Sequence, residues 1–321
     1  MRTSTEISTP QTVPRPARRG ATEDQELRRL QGRIKAVARR WFVVLLLVAA
    51  AVFFIVPLVW LLLAPTKTNS AIITGPFAFG SFAQVARSWN RLLAYESGAI
   101  LIWLRNSAVY SFSGMAIAIA LGIPAGYGLA VTHFIGRKAL LVTTLVVMIM
   151  PSSALVLPLF LEMNSLHLVG NAFSVILPFS FFPFGVYLAY IYFTTALPSE
   201  LLGAARVDGC NEWKTFRYVA APLAKPVIAL VAFFNFVANW NNFFLPFVML
   251  PSNNQAPVPV GLSLLLSSSP AFNPTNGESQ SAVYIPEFAL AILVAIAPVL
   301  IVLLVFQRAL VSPFLGGSTN K

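Results

Sequence analysis

The sequence predicts an all-α integral membrane protein with six transmembrane helices and both termini in the cytoplasm. Three observations lead to this prediction. The chain of 321 residues is 57% hydrophobic, with a mean hydropathy of +0.75, well above the composition of soluble globular domains. It contains six apolar runs of membrane-spanning length, and its Lys and Arg residues are concentrated on one side of those runs.

The six apolar runs define the predicted spans. A helix needs about 20 apolar residues, at about 1.5 Å of rise each, to cross the hydrocarbon core of a bilayer. The predicted spans are residues 41–64, 107–131, 139–161, 172–197, 227–250 and 288–304.

The distribution of basic residues sets the orientation, because Lys and Arg are retained on the cytoplasmic side of a membrane. Of the 22 Lys and Arg residues, ten precede Trp41, two follow the second span, four follow the fourth span and two lie near the C-terminus. Four lie on the opposite side. Both termini and the loop at 198–226 are therefore predicted to be cytoplasmic. The net charge of +11 is then a topology signal and does not indicate nucleic-acid binding.

The spans divide the chain into a basic cytoplasmic tail, a first helix, an extracytoplasmic loop, a membrane core and a cytoplasmic C-terminal tail. In the extracytoplasmic loop, the stretch FAQVARSWNRLLAY predicts an amphipathic helix containing Trp89 and Leu92. A later stretch, 267–284, is predicted to face the same side. The five parts are residues 1–40, 41–64, 65–103, 104–308 and 309–321.

The predicted spans contain no Asp, Glu, Lys, Arg or His. Proton-coupled carriers need ionisable groups at membrane depth, so this chain is not expected to capture energy from protons. Sodium coupling through backbone carbonyls at broken helices stays open, and each proline in a span indicates either such a break or a simple kink. These prolines are Pro57, Pro124, Pro151, Pro158, Pro178, Pro183, Pro246 and Pro298.

Cysteine and histidine usage predicts neither a disulfide nor a metal site. Cys210 is the only cysteine, so no intrachain disulfide can form. His133, His167 and the scattered carboxylates show no ligand spacing. An integral membrane enzyme is the weakest hypothesis, because no nucleophile and base or paired carboxylates cluster at a membrane face.

The polar loop at 198–226 predicts two short helices. Glu200 suits the first turn of a helix SELLGAARV, which Gly209 ends. Asn211 can cap a second helix, EWKTFRYVAA, which Pro222 is predicted to end, with Trp213, Phe216 and Ala220 on one face. From the physics alone, this loop is either a docking element for another protein or an amphipathic connector lying on lipid headgroups.

The stretch ELLGAARVDGCNEWKTFRYVAAPLAKP resembles the EAA loop of permease subunits of bacterial ATP-binding-cassette importers. Further stretches, RNSAVYS, PAGYGLAVTHFIGRK, NWNNFFLPFVML and FQRALVSPFLGG, extend the resemblance to the maltose-type carbohydrate branch and its six-span subunit. The matching loop positions are Ala204, Ala205, Asp208, Gly209, Glu212, Trp213, Phe216, Pro222, Leu223 and Pro226. The resemblance implies a type I ABC importer permease fold, and residues 198–226 are called the coupling loop below.

The resemblance also implies a mechanism and a set of partners. The coupling loop would sit in a groove of a cytoplasmic ATPase and transmit its ATP-driven closure, so this chain would carry no catalytic chemistry and no cofactor, with ATP and Mg bound by the ATPase subunits. The implied partners are a second permease subunit, two ATPase subunits and an extracytoplasmic solute-binding protein, in a bacterial inner membrane. The implied ATPase-coupling residues are Gly203, Ala204, Ala205, Arg206, Asp208, Gly209, Glu212, Phe216 and Pro222. Gly203 departs from the family pattern, which has Glu there, and Cys210 replaces the usual Ala.

A solute pathway is predicted along the fifth span. Sugars are bound by polar and aromatic side chains in a mostly apolar cleft. The same side chains could instead hydrogen-bond between helices. The candidate pathway residues are Asn235, Asn239, Trp240, Asn241 and Asn242. The alternative function is a stand-alone secondary transporter of a small polar solute. Small residues at 116–130 predict close helix packing, either within the chain or against a second membrane subunit.

Overall fold

The computed structural model describes residues 19–273 and 283–315, with side chains described from Lys35 to Gln307 apart from Ala36 and the gap. All regular structure in these residues is helical. The chain divides into two compact units between Val59 and Trp60. Parts of the predicted terminal tails and of the loop at 267–284 lie outside the described residues.

The first unit is built by helix α1, Arg19–Leu63, which continues into the second unit. The basic segment before Trp41 and the first predicted span form one continuous helix, with Pro57 in its interior. Residues Val37–Thr66 are long and apolar enough to cross a membrane, which confirms the first span by length and composition.

The second unit contains the other helices of the described residues. Short 3₁₀ turns join some of them, and a π-helical turn, Phe216–Ala220, joins α10 to α11. The helices are α2 (Asn69–Thr74), α3 (Phe82–Ala94), α4 (Ala99–Val131), α5 (Arg137–Ile149), α6 (Ser152–Ser165), α7 (Phe173–Ser180), α8 (Pro183–Thr195), α9 (Ser199–Val207), α10 (Glu212–Thr215), α11 (Ala221–Leu223), α12 (Lys225–Trp240), α13 (Phe244–Met249), α14 (Val258–Ser268) and α15 (Ile285–Leu315).

Several predicted spans differ in detail from the helices. Four helical stretches are long and apolar enough to cross a membrane, and the number rises to six if each of two bent pairs counts as one span. The predicted third span is such a pair, because α5 and α6 meet at 108°. Helix α4 begins at Ala99 rather than at 107, so the predicted extracytoplasmic loop contains α2, α3 and the start of α4.

The prolines of the spans mostly lie inside helices. Pro151 precedes α6 and Pro183 opens α8, and in both positions the residue's own helix requires no N–H from it. The other six of these prolines lie within helices: Pro57 in α1, Pro124 in α4, Pro158 in α6, Pro178 in α7, Pro246 in α13 and Pro298 in α15.

Helix α4 is the centre of the second unit and packs closely on α8. A Cβ atom added to Gly126 would lie 2.4 Å from the Cβ of Ala189, so only glycine permits this approach. Gly114 packs in the same way against Phe179 of α7. These glycines, which include one from the predicted small-residue stretch, therefore serve packing within the chain.

Candidate functional site

The first helix of the coupling loop ends through a Schellman motif. Gly209 has a φ of +81°, a left-handed conformation that glycine adopts without strain. Its N–H donates to the Arg206 carbonyl at 3.1 Å, and the Cys210 N–H donates to the Ala205 carbonyl at 2.9 Å. The predicted stop of α9 at Gly209 is confirmed.

The second helix of the coupling loop begins as predicted and ends later. Asn211 caps α10, because its Oδ1 accepts a hydrogen bond from the Lys214 N–H at 2.9 Å. The prediction that Pro222 ends this helix is wrong. The chain widens into the π-helical turn, where the Ala221 N–H bonds the Phe216 carbonyl, and Pro222 then occupies the first turn of α11, which tolerates its missing N–H.

The inner face of the coupling loop packs on the helix bundle. Leu202 and Phe216 are buried in one apolar cluster with residues of α4 and α8, and Ala205 is buried as well. The Phe216 ring lies 5.1 Å from the ring of Tyr127 on α4, which in turn lies 5.4 Å from that of Phe193 on α8. Phe216 is therefore the aromatic anchor of the loop. Trp213, predicted on the same face, is 60% exposed.

Glu212 connects the two helices of the coupling loop to α4. One carboxylate oxygen accepts from Arg206, with Nε and Nη2 both at 3.0 Å. The other accepts from the Tyr127 hydroxyl at 3.2 Å. Both members of the ion pair are about half exposed, so the pair itself adds little stability. Its effect is to fix the positions of α9 and α10 relative to α4.

The outer face of the coupling loop is exposed and partly apolar. Ala204 and Asp208 are exposed, and Val207 is 89% exposed. A Cβ atom added to Gly203 would meet nothing within 4 Å. The two alanines of the motif therefore differ, since Ala205 is buried and Ala204 is exposed. Sequence reasoning missed Val207 and Tyr127, although an apolar side chain in a polar loop was a usable signal for Val207.

One buried hydroxyl of the coupling loop has no hydrogen-bond partner among the described residues. Thr215 is fully buried beside Phe216, and its Oγ1 is unpaired there. An unsatisfied buried hydroxyl costs about 1–3 kcal/mol. The junction between α10 and the π-helical turn is therefore less well satisfied than the capped start of α10.

Two of the predicted pathway residues complete a helix break. The Phe179 carbonyl of α7 would bond residue 183 in a continuous helix, but Pro183 has no N–H to donate. The Asn235 amide donates to this carbonyl at 3.1 Å, and the Asn239 amide donates to the Asn235 Oδ1 at 2.8 Å. Both asparagines are buried, so their amides stabilise the junction of α7, α8 and α12.

The other three pathway residues occupy different positions. Trp240 is buried, stacks on Phe236 and donates its Nε1–H to the Ala295 carbonyl of α15 at 3.0 Å. The exposed Asn241 donates to the Val237 carbonyl of its own helix. Asn242 accepts from the Leu245 N–H at 3.2 Å, at the start of α13. The structure does not bring the five residues into a single site.

Two cavities lie beside the break between α7 and α8. One, of about 320 Å³, is lined by Asn239 and Asn242 together with aromatic and hydroxyl side chains of α6, α7 and the helix break. The other, of about 520 Å³, lies among α4, α5, α7 and α8. Two of its hydroxyls, Thr144 and Ser180, donate to carbonyls of their own helices. The larger cavity is therefore mostly apolar, and the smaller one combines amides with aromatic rings.

Comparisons with known proteins agree with each other. Residues 118–314 match the family described as binding-protein-dependent transport system inner membrane component. The chain is 31% identical to the arabinooligosaccharides transport system permease protein AraQ of Bacillus subtilis over 268 residues, which cover 83% of this chain and 91% of AraQ. It is 30% identical to the diacetylchitobiose uptake system permease protein NgcG of Streptomyces coelicolor over 256 residues, 79% of this chain and 80% of NgcG.

A solved structure shows the same fold. The chain superposes with a TM-score of 0.71 on a chain of a bacterial ABC transporter involved in the import of the acidic polysaccharide alginate. The match covers 92% of this chain and 99% of the other, at 23% sequence identity.

Proposed function

The chain belongs to the family of binding-protein-dependent transport system inner membrane components, as a permease subunit of a carbohydrate importer of the ATP-binding-cassette class, and we propose that it receives the energy of ATP hydrolysis through its coupling loop. It would form half of the translocation pathway, with a second permease subunit forming the other half. No step of catalysis would lie in this chain, and ATP and Mg would be bound by two partner ATPase subunits.

The observation that carries this proposal is the two-sided construction of the coupling loop. Its inner face is fixed to the bundle by Phe216 and by the Glu212 hydrogen bond to Tyr127. Its outer face presents Ala204, Val207 and Trp213 to solvent. A short helix that packs on the bundle with one face and presents small and apolar side chains on the other suits docking into a groove of another protein.

This construction supports transport by alternating access. ATP can shift a transporter between two states only if the ATPase holds those states with different affinity. A movement imposed on α9 would pass through Arg206 and Glu212 to α10, and through Tyr127 and Phe216 to α4 and α8. Rigid-body rocking of packed helices would then open the pathway to one side of the membrane or the other.

The solute pathway is proposed to include the smaller cavity. Its lining by Asn239, Asn242, Phe179 and Phe244 offers amides for hydroxyl groups and aromatic faces for sugar rings. The relatives AraQ and NgcG carry the names of oligosaccharide systems, so we propose a short oligosaccharide, delivered by a solute-binding protein, as the cargo. The chain would lie in a bacterial inner membrane.

Co-purification and reconstituted transport test the proposal. We expect the tagged full-length chain to bring down an ATPase and a second membrane subunit, and the reconstituted assembly to import oligosaccharide only with ATP and a binding protein. Val207→Asn should weaken ATPase association, whereas Ile135→Asn, at another highly exposed apolar residue outside the coupling loop, should not. Uptake by this chain alone under an ion gradient would favour a secondary transporter instead.

The orientation is tested through the lone thiol. Cys210 is partly exposed and follows Gly209 directly. A membrane-impermeant maleimide should label it only from the cytoplasmic side, and more slowly once the ATPase is bound. Labelling of intact cells from outside would contradict the predicted topology.

A further inference from the structure

A further cavity lies in the segment that follows the first span. The chain folds back on itself here, since the Ser81 N–H donates to the Thr66 carbonyl at 2.7 Å and the Gly80 N–H donates to the Thr66 Oγ1 at 3.0 Å. A Cβ atom on Gly80 would lie 1.9 Å from the Thr66 carbonyl oxygen, so the close approach requires glycine. The resulting cavity has a volume of about 380 Å³ and extends to Arg87, and it is called the basic cavity below.

Lys67 lines the basic cavity as a buried cation. Lys67 is only 4% exposed, and its ammonium group donates hydrogen bonds to the carbonyls of Gly75 and Pro76. An ammonium has three donors, so one is left over. No carboxylate among the described residues lies within 4.0 Å of it, because the ion pairs there involve only Glu287 and Glu212. Buried charges are normally paired with an opposite charge.

Arg87 and Gln84 on α3 extend the positive lining. Arg87 is exposed and has neither a hydrogen bond nor an ion pair with the described residues. Gln84 is largely buried, near the N-terminus of α3. The residues around the cavity include two cations and no Asp or Glu. The cavity therefore has a positive potential with no internal anion to balance it.

The basic cavity lies beside the ends of two candidate membrane spans, Val37–Thr66 and Ile285–Gln307. Ala64 and Ile72 pack against Ala289, just inside the apolar part of α15. Large apolar side chains beside the cavity are exposed, and two of them, Phe79 and Phe82, contact each other at 5.1 Å between ring centroids. Exposed apolar side chains next to cations are typical of segments that lie in the membrane interface.

We propose that the basic cavity binds the phosphate group of an anionic phospholipid, with Lys67 and Arg87 as its charged ligands. A phosphate oxygen accepts the remaining ammonium donor, and the arginine guanidinium binds the same group from the rim. The exposed apolar side chains of the segment contact the acyl region. The bound lipid supplies the counter-charge that Lys67 lacks within the protein. This site is independent of the coupling loop and of the solute carried.

The test measures lipid retention by the purified full-length chain. Wild type, Lys67→Met, Arg87→Gln and the control Arg105→Gln are purified in mild detergent with phosphatidylglycerol or phosphatidylcholine. Arg105 is another exposed arginine without a hydrogen bond or ion pair to the described residues, outside the cavity. Bound lipid is counted by native mass spectrometry, and thermal unfolding is followed in parallel.

We expect phosphatidylglycerol to be retained and to stabilise the wild type and Arg105→Gln, and its affinity to fall about fivefold for each of the two cavity variants. Arg87→Gln keeps the test decisive if Lys67→Met fails to fold. Equal stabilisation by inorganic phosphate alone, lost in the same two variants, would retain the anion site and assign it to free phosphate. Wild-type retention of phosphatidylglycerol in Arg87→Gln, or equal retention of phosphatidylglycerol and phosphatidylcholine by the wild type, would overturn the proposal.

Discussion

The two ends of helix α4 are attached to their neighbouring loops in different ways. Near its N-terminus, α4 holds the loop before α14 with a ladder of side-chain hydrogen bonds to backbone groups. Near its C-terminus, about 25–36 Å away along the helix, Tyr127 contacts the coupling loop through its hydroxyl and its ring, within an apolar cluster that also includes Ile123 of α4. Three side chains donate to carbonyls of this loop: Trp103 to Asn253, Asn106 to Asn254 and Ala256, and Tyr110 to Gln255. The Ser107 hydroxyl oxygen accepts a hydrogen bond from the Val258 N–H.

This difference indicates that one end of α4 is an anchor and the other a contact that can adjust. Backbone groups of a loop, once bonded by several side chains, move only if many bonds break together. The Tyr127 contact ends on a half-exposed carboxylate, Glu212, which also binds Arg206. A carboxylate can accept several hydrogen bonds, so it can exchange one donor for another at low cost. The proposed function requires such a contact, because the coupling loop has to transmit a movement to α4.

The largest expected effect is at the anchored end. Trp103 is fully buried, and a Cβ atom on Gly261 would lie 2.1 Å from its ring, so the site has no spare space. We expect Trp103→Ala to lower the free energy of unfolding by about 3–5 kcal/mol, through the lost packing and the lost hydrogen bond to Asn253. Thermal unfolding of the purified chain measures this. Leu101→Ala, on the exposed face of α4, is the control, and an equal loss there would contradict a specific anchor.

The next effect is at the end of α9. Gly209→Ala forces a side chain into a left-handed conformation, at a cost of about 1–2 kcal/mol. We expect it to loosen the coupling loop and to reduce co-purification of the ATPase. Gly203→Ala is the matched control, because its Cβ meets nothing and alanine favours a helix by about 1 kcal/mol over glycine. Gly209→Ala should therefore weaken ATPase association, whereas Gly203→Ala should strengthen it or leave it unchanged.

A pair of tyrosines compares the two ends directly. Tyr127 and Tyr110 are both 4% exposed on α4, and each donates one hydrogen bond, to Glu212 and to the Gln255 carbonyl respectively. Replacing either by Phe should cost about 1 kcal/mol of stability. Only Tyr127→Phe should also lower ATP-driven uptake relative to ATP hydrolysis in the reconstituted assembly. If both variants uncouple transport equally, the contrast between the two ends of α4 is wrong.

The features that sequence reasoning predicted well are local ones. The stop at Gly209 and the cap at Asn211 depend on residues within a few positions of each other, and both are confirmed. The predicted end of the second helix was wrong. A π-helical turn precedes Pro222 and places it in the first turn of α11, where its missing N–H is tolerated. The early start of α4 was missed as well, because the predicted second span begins only at residue 107. Asn106 and Ser107 lie within α4, and their polar side chains bind the loop before α14.

The features that could not be predicted depend on distant contacts. Tyr127 and Glu212 are 85 residues apart in the sequence, and no local pattern shows that they meet. The buried amides of Asn235 and Asn239 compensate for a missing N–H at Pro183 on another helix. From the sequence, these asparagines were predicted only as candidate residues of a solute pathway along the fifth span. Only the packing of α7 against α12 shows which carbonyl requires them.

The smallest expected effect concerns Gly203, where the family pattern has a glutamate. The site is open, and Glu is a better helix former than Gly, by about 0.5 kcal/mol. We expect Gly203→Glu to leave ATPase association unchanged or to tighten it, as measured by pull-down with the purified ATPase. Comparison with Gly203→Ala separates the charge from the gain in helix stability.

The outcome at Gly203 also bears on the adjustable end of α4. A glutamate at 203 would lie three residues before Arg206, within reach of its guanidinium on the same helix. It would compete with Glu212 for Arg206 and leave the Tyr127 contact as the main link to α4. ATP-driven uptake by the double variant Gly203→Glu with Tyr127→Phe should then fall by more than the two single effects combined. A loss of ATPase assembly in Gly203→Glu alone would contradict the placement of the coupling loop in the ATPase groove.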